Sequence, residues 1–309
     1  MSVFEDFHFI SSTGVNRIRV KTCTPDGEVR GVVQIAHGIA DHADRYADFM
    51  SFLAENGFAS AADDHLGHGA SIEKEDDKGF FAEKDGWWRV VDDLKTVHDT
   101  MKKKYPDVPY LFFGHSMGSF LARTYLIRYP DDCDAAIISG TAQQSPLMVN
   151  AGLFMASVLT KKNGPRGDGK VLNDIAFGSY NDKIKFRYTE FDWISRDEET
   201  VKKYIDDPLC GFAAKCSLYR DMMEGIKFIS NKENAAKMNK NTPVYFMSGD
   251  ADPVGEYGKG VTRAYQMFCD VGMKDVMIRL YPGGRHEMLN EINRADVYRD
   301  ILNWINEKI

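Results

Sequence analysis

Little in this chain speaks for disulfides, nucleic acid or a membrane span. Its five cysteines, Cys23, Cys133, Cys210, Cys216 and Cys269, are odd in number, scattered and never spaced C-x-x-C. That argues against a disulfide framework and against a zinc ribbon. Basic charge is also short: 39 Lys+Arg stand against 46 Asp+Glu, for a net −7, and no run of five basic residues occurs. A surface that grips a phosphate backbone is not expected, so no nucleic acid is expected as a partner. The longest apolar-rich stretch, Leu147 to Leu159, is interrupted by Asn150 and is shorter than the ~20 residues a spanning helix needs. Residues Met1 to Ile10 alternate acidic and aromatic side chains, without the basic and apolar regions of a secretory signal. A soluble protein of the reducing cytoplasm is the expectation. No G-x-G-x-x-G follows a strand pattern and no Walker pattern occurs, so a nucleotide cofactor lacks support.

What is present is an alternation. The 309 residues, 43% of them hydrophobic, suffice for one large α/β domain with an insertion. Phe7–Ser11 and Arg17–Thr22 read as a hairpin around Ser12-Thr13-Gly14. Strand patterns follow at Val32–Ala36, Ala59–Ala62, Tyr110–Phe113 and Ala135–Ser139, separated by helical patterns at Asp44–Asn56, Trp87–Lys104 and Met117–Tyr129. Fully apolar strands alternating with helices predict a parallel sheet covered on both faces. The rhythm stops near Gln143 and resumes with strand Val244–Ser248, helix Lys259–Val271, strand Val276–Tyr281 and helix Arg294–Asn306. The intervening stretch is mostly helical and near neutral, with 13 Lys+Arg against 12 Asp+Glu over residues 146–230. It reads as a helical cap, about 144–230, inserted into a core of 1–143 and 231–309.

The strongest chemical signal is Gly114-His115-Ser116-Met117-Gly118, a G-x-S-x-G between a strand pattern and a helix pattern. That is the setting of a nucleophile elbow: a turn too tight for side chains at its flanks, lifting the serine hydroxyl off the sheet edge. A serine needs a base, and His286 follows the last predicted strand. Strand Val244–Ser248 runs into Gly249-Asp250-Ala251-Asp252, where either carboxylate could orient the imidazole. For the oxyanion, the amide of Ile39 in His37-Gly38-Ile39 can join that of Met117. His37 itself reads as a structural turn residue.

These pieces, together with Asp41-His42, Arg45-Tyr46 and Asp64-His65-Leu66-Gly67-His68-Gly69-Ala70-Ser71, resemble the α/β-hydrolase superfamily, in its monoacylglycerol lipase/lysophospholipase branch. The resemblance runs from residue 37 to residue 286. It implies an α/β-hydrolase fold, with a mostly parallel eight-stranded sheet flanked by helices and a helical cap. It also implies ester hydrolysis through an acyl-enzyme, on monoacylglycerol, lysophospholipid or similar single-chain esters. The catalytic residues it implies are Ser116, Asp252 and His286, the acid standing three residues after Gly249. The oxyanion hole falls to Ile39 and Met117, and no cofactor is implied. The same machinery could cleave a thioester or amide or transfer an acyl group, and a silent ligand-binding member of the superfamily is the reading from another class.

Two patterns are left over. Asp63, Asp64, His65 and His68 have metal-like spacing, but the resemblance makes them loop scaffolding, and no metal is expected. The stripe Leu147, Met148, Phe154, Met155, Val158 and Leu159 reads first as cap core. Its rivals are an acyl-chain lining, with Leu147, Phe154, Met155 and Val158 as the substrate-binding candidates, or a face that touches a membrane. Trp87-Trp88 reads as packing.

Overall fold

The computed structural model describes residues 2–185 and 187–309; Met1, the first residue of the acidic-aromatic N-terminal stretch, lies outside the described residues, as does Phe186. Strands β1 (Val3–Ile10) and β2 (Arg17–Thr24) form the expected hairpin, longer at its open end than the sequence pattern and one residue shorter at the turn, where β1 stops before Ser11. β3 (Gly31–Ala36), helix α1 (Ala47–Glu55) and β4 (Phe58–Asp63) follow. The predicted helix over Asp44–Asn56 is split: its first turn, Ala43–Tyr46, is a 3-10 turn, and α1 stops before Gly57, whose φ of +85° a side chain would resist. Then come α2 (Gly86–Lys104), β5 (Tyr110–His115), α3 (Met117–Arg128) and β6 (Ala135–Ser139).

The sheet resumes only at β7 (Val244–Gly249), after α4 (Pro146–Asn163), α5 (Lys170–Phe177), α6 (Glu198–Asp206), α7 (Cys216–Ser230) and the short α8 (Lys232–Ala235). It ends with α9 (Lys259–Asp270), β8 (Val276–Tyr281) and α10 (Arg294–Lys308). The eight strands are ordered β1-β2-β4-β3-β5-β6-β7-β8, antiparallel only where β2 meets β1 and β4. β6 and β7 are direct neighbours, so the helices between them are an insertion, a cap on the sheet.

Strand side chains alternate between two buried layers, as the period of two requires. Val32, Tyr110, Phe112, Ala136, Ile138, Val244 and Phe246 meet α2, α3 and α9, while Val33, Ile35, Leu111, Phe113, Ile137, Tyr245 and Met247 meet α1 and α10. In α10 the buried Val297, Ile301, Trp304 and Ile305 recur at helical spacing, each burial worth roughly 1.5–3 kcal/mol. Trp87 is fully buried, its indole N–H donating to Thr124 Oγ1 at 3.1 Å, and Trp88 packs edge-on to Phe228. Both tryptophans are packing residues.

The cap corrects one expectation. α4 turns Val149, Ala156 and Thr160 inward, with Gly152 so close to α7 that a Cβ there would lie 2.7 Å from Met223 Cε. Small residues make this interface because they let the two helices approach. The large apolar residues therefore fall on the opposite face: Leu147, Met148, Phe154 and Val158 are 78%, 62%, 72% and 47% exposed, with Met155 at 36%. They are not cap core. Residues Val171 and Ile175 of α5 are exposed as well.

Candidate active site

The elbow forms where β5 turns into α3. A Cβ on Gly118 would lie 2.0 Å from Ala36 O, and one on Gly114 2.3 Å from Gly118 O, so neither position tolerates a side chain. Between them Ser116 takes φ +54° and ψ −121°, a backbone state that non-glycine residues rarely hold. Its N–H donates to Ser139 O at 3.0 Å, which anchors the turn to β6. Ser116 is half-buried, and Met117 opens α3, where the first backbone N–H groups lack intrahelical acceptors.

His286 lies in the loop after β8 and is almost fully buried, its ring 4.6 Å from that of His115, the residue before Ser116. Its Nδ1 is 3.0 Å from Asp252 Oδ2. Asp252 has no solvent exposure. Ser248 Oγ donates to the same Oδ2 at 3.0 Å, and Val254 N–H donates to Oδ1 at 2.9 Å. Burial pushes this carboxyl up, but His286 and these donors more than offset it and hold it below the ordinary range. Asp250, the other carboxylate of the pair, is exposed and accepts the Gly283 N–H at 2.7 Å. The structure thus joins Asp252, not Asp250, to the histidine.

The loop after β3 runs alongside. A Cβ on Gly38, the residue before Ile39, would sit 3.2 Å from Ser116 Cβ. His37 Nε2 accepts the His65 N–H at 3.0 Å, so its Nδ1 carries the proton and donates to Gly38 O at 2.7 Å. Burial, then the neighbouring His65 and His68, hold His37 well below the usual histidine range. It is a neutral turn residue.

The metal-like spacing resolves into scaffolding contacts. Asp64 accepts the N–H groups of Ala43 and Ala70 at 2.8 and 2.9 Å and pairs with Arg19, while Asp63 holds His65 at 2.7 Å.

Several positioning contacts escaped the sequence reading. Arg45 pairs with Glu287 at 2.6 Å and with Asp41 at 2.9 Å, and Asp41 Oδ2 also accepts the Gly38 N–H and the Tyr46 hydroxyl. This buried network ties the loop after β3 to the loop of His286. The histidine loop is also bolted to the cap: His286 N–H donates to Trp193 O, Glu287 N–H to Ile194 O, and Arg285 to Asp192 O and Ser195 O. The sequence signal was modest: Asp41 and Arg45 four apart, and Glu287 directly after His286.

A groove of about 580 Å³ opens beside these residues, lined by Ile39 and Ala40 from the core, by Phe177, Phe191, Trp193 and Phe212 from the cap, and by the charged Lys170, Asp174, Arg187 and Glu190. Ser116 and His286 do not line it; Trp193, whose ring is 5.1 Å from that of His286, connects them. None of Leu147, Phe154, Met155 and Val158 lines it either. The cap wall of this groove therefore comes from α5, α6 and the segments around Trp193 and Phe212, and not from the stripe on α4.

A serine elbow at the end of β5, with a paired histidine and buried aspartate at the ends of β8 and β7, defines an α/β-hydrolase. The family model described as "Serine aminopeptidase, S33" matches residues 27–293. The chain is 31% identical over 301 residues to a monoacylglycerol lipase of Mycolicibacterium smegmatis, covering 96% of both proteins. It is 25% identical over 288 residues to the monoglyceride lipase of Mus musculus, covering 92% of this chain and 85% of the relative. Among solved structures, a thermostable carboxyl esterase from Bacillus coagulans superposes with a TM-score of 0.91 at 31% identity, covering 99% of both chains. The protein belongs to the S33 family of α/β-hydrolases, in the branch that holds the monoacylglycerol lipases.

Proposed function

We propose that the protein is a carboxylic ester hydrolase acting on monoacylglycerol-like, single-chain acyl esters, lysophospholipids included, through a catalytic triad. The observation that carries this reading is a serine held at a strained, glycine-flanked elbow whose preceding residue, His115, has its ring 4.6 Å from that of a histidine with Nδ1 on a buried aspartate. Ser116 attacks the ester carbonyl as His286 takes its proton, and Asp252 fixes the tautomer and stabilises the imidazolium. The amides of Ile39 and Met117 take the oxyanion. His286 protonates the leaving alcohol and then activates water, which releases the acid and frees Ser116. The cycle uses no cofactor.

The groove suits one acyl chain, since its volume is that of a small-ligand site. The domain division 1–143 plus 231–309 against 144–230 follows the insertion between β6 and β7, although α7 packs Gly225 onto Trp87 of the core. The outward face of α4, with Val171 and Ile175 of α5, is an apolar surface of the kind that docks on lipid, and it offers a route for peripheral membrane contact through the cap. No described helix is long and apolar enough to cross a membrane. All five cysteines are free, which supports a reducing, cytoplasmic location.

The test is a series of mono-, di- and triacylglycerols, with matched thioester and anilide substrates. Single-chain esters should turn over fastest. Extending the chain from four to eight carbons should raise kcat/KM by on the order of 10² if each buried methylene contributes about 0.8 kcal/mol. A flat profile, or faster anilide cleavage, would overturn the substrate assignment.

A further inference from the structure

Away from the triad, one cluster of donor atoms draws on both core and cap. His42 lies on the loop after β3, and Asp207 and Cys210 lie in the turn after α6; one donor atom of each falls within 4.8 Å of the others. His42 Nε2 is 2.8 Å from Asp207 Oδ2. The second ring nitrogen, Nδ1, is buried without a hydrogen-bond partner, and Asp44 Oδ2 stands 4.0 Å from it. Ester hydrolysis requires none of these groups.

We propose that His42, Asp207 and Cys210 bind a zinc ion that staples the cap to the loop after β3. An imidazole nitrogen, a carboxylate oxygen and a thiolate sulfur suit tetrahedral Zn²⁺, whereas Mg²⁺ and Ca²⁺ take oxygen ligands. The carboxylate and thiolate balance the ion's two charges, and water takes the fourth position. The partnerless Nδ1 completes the picture. When Nε2 gives its lone pair to the metal, the ring proton resides on Nδ1, and Asp44 is the carboxylate placed to receive it, the outer contact a ligating histidine ordinarily makes. Coordination breaks the S–H bond of Cys210 and forms Zn–S, so one proton passes to solvent for each ion bound.

The staple reaches the groove without touching the reacting atoms. Gly211 N–H and the Tyr204 hydroxyl both donate to Ala40 O at 3.1 Å, and Phe212 and Ala213 line the groove beside Ile39 and Ala40. Zinc would fix that wall.

The experiment titrates chelator-stripped, reduced protein with Zn²⁺ against a chromophoric competitor, and repeats the titration with Co²⁺. One equivalent should bind with a dissociation constant below about 1 μM. Co²⁺ should give a thiolate-to-metal charge-transfer band. Cys210→Ser and Asp207→Asn should each weaken zinc on the order of 100-fold, and the band should vanish in Cys210→Ser. Cys269→Ser, at the half-exposed thiol, should change neither. Cys210→Ser should keep short-ester turnover in chelator, which separates this result from any failure of the triad. Absence of stoichiometric zinc in the wild type, binding retained in Cys210→Ser, or binding lost in Cys269→Ser would overturn the proposal.

Discussion

Replacing Asp252 by asparagine changes one atom, and the structure dictates which way that atom faces. Oδ1 accepts the Val254 N–H at 2.9 Å, so an amide NH₂ placed there would set donor against donor. The asparagine keeps its oxygen on Val254 and turns its nitrogen toward His286 Nδ1. Ser248 Oγ can accept from that nitrogen and donate instead to Gly249 O, 3.3 Å away. Every buried polar group stays paired, so the fold should survive. The cost falls on the tautomer. Nδ1 must now accept, the ring proton moves to Nε2, and the imidazole can no longer take the proton of Ser116. The loss in kcat should be on the order of 10⁴, or ~5.5 kcal/mol of barrier. Asp250→Asn is the control: the exposed residue keeps its acceptor for Gly283 N–H, and kcat should stay within about threefold. The assay is turnover of a p-nitrophenyl ester by both variants, with urea melts to establish folding. Asp252→Asn within about tenfold of wild type, or a larger loss in Asp250→Asn, would refute the reasoning.

Three further outcomes follow from particular residues. Asp221 is buried with Oδ2 unpartnered, and burial pushes its carboxyl up from 3.8 to about 7. Between those values the folded state holds a proton that the unfolded chain has lost, so stability falls as pH rises through this window. Asp221→Asn should then raise the unfolding free energy from urea melts at pH 8, by up to about 4 kcal/mol less the lost Arg220 contact, and the gain should shrink toward pH 4; a pH-independent difference would contradict this. Phe154→Asp, on the outward face of α4, should leave turnover of a dissolved short ester unchanged and weaken binding to phosphatidylcholine vesicles on the order of tenfold; equal vesicle binding would remove the lipid-facing role. EDTA should leave short-ester turnover intact, since Asp63, Asp64, His65 and His68 serve loop contacts; activity lost in EDTA and restored by zinc in Cys210→Ser, where the staple is absent, would place a metal in the reaction.

Local rules made much of this protein legible. The central strands β3 to β7 announced themselves because both faces of each are buried, and apolar runs bounded by turns carry that information directly. The elbow was legible because its glycines are sterically obligatory at Gly114 and Gly118, so the motif is a packing constraint written in sequence. The pairing of His286 with Asp252 over Asp250 was not decided by spacing alone, since it depends on which carboxylate the chain buries. The cap was misread for a physical reason. Large apolar residues on α4 were assigned inward, yet the buried side is set by Val149, Gly152 and Ala156, whose small size lets α4 and α7 close together. The groove was invisible because Trp193 and Phe212 sit on segments without helical or strand period. The Arg45–Glu287 pair joins residues that only the folded sheet brings together.

The central claim is that Ser116 is the nucleophile, and covalent labelling tests it most directly. A fluorophosphonate probe mapped by peptide mass spectrometry should modify the protein once, at Ser116. Ser116→Ala should fold with an unchanged urea midpoint, take up no probe and lose ester turnover by several orders of magnitude. Labelling at a different serine, or a Ser116→Ala variant within about tenfold of wild-type turnover, would contradict the account.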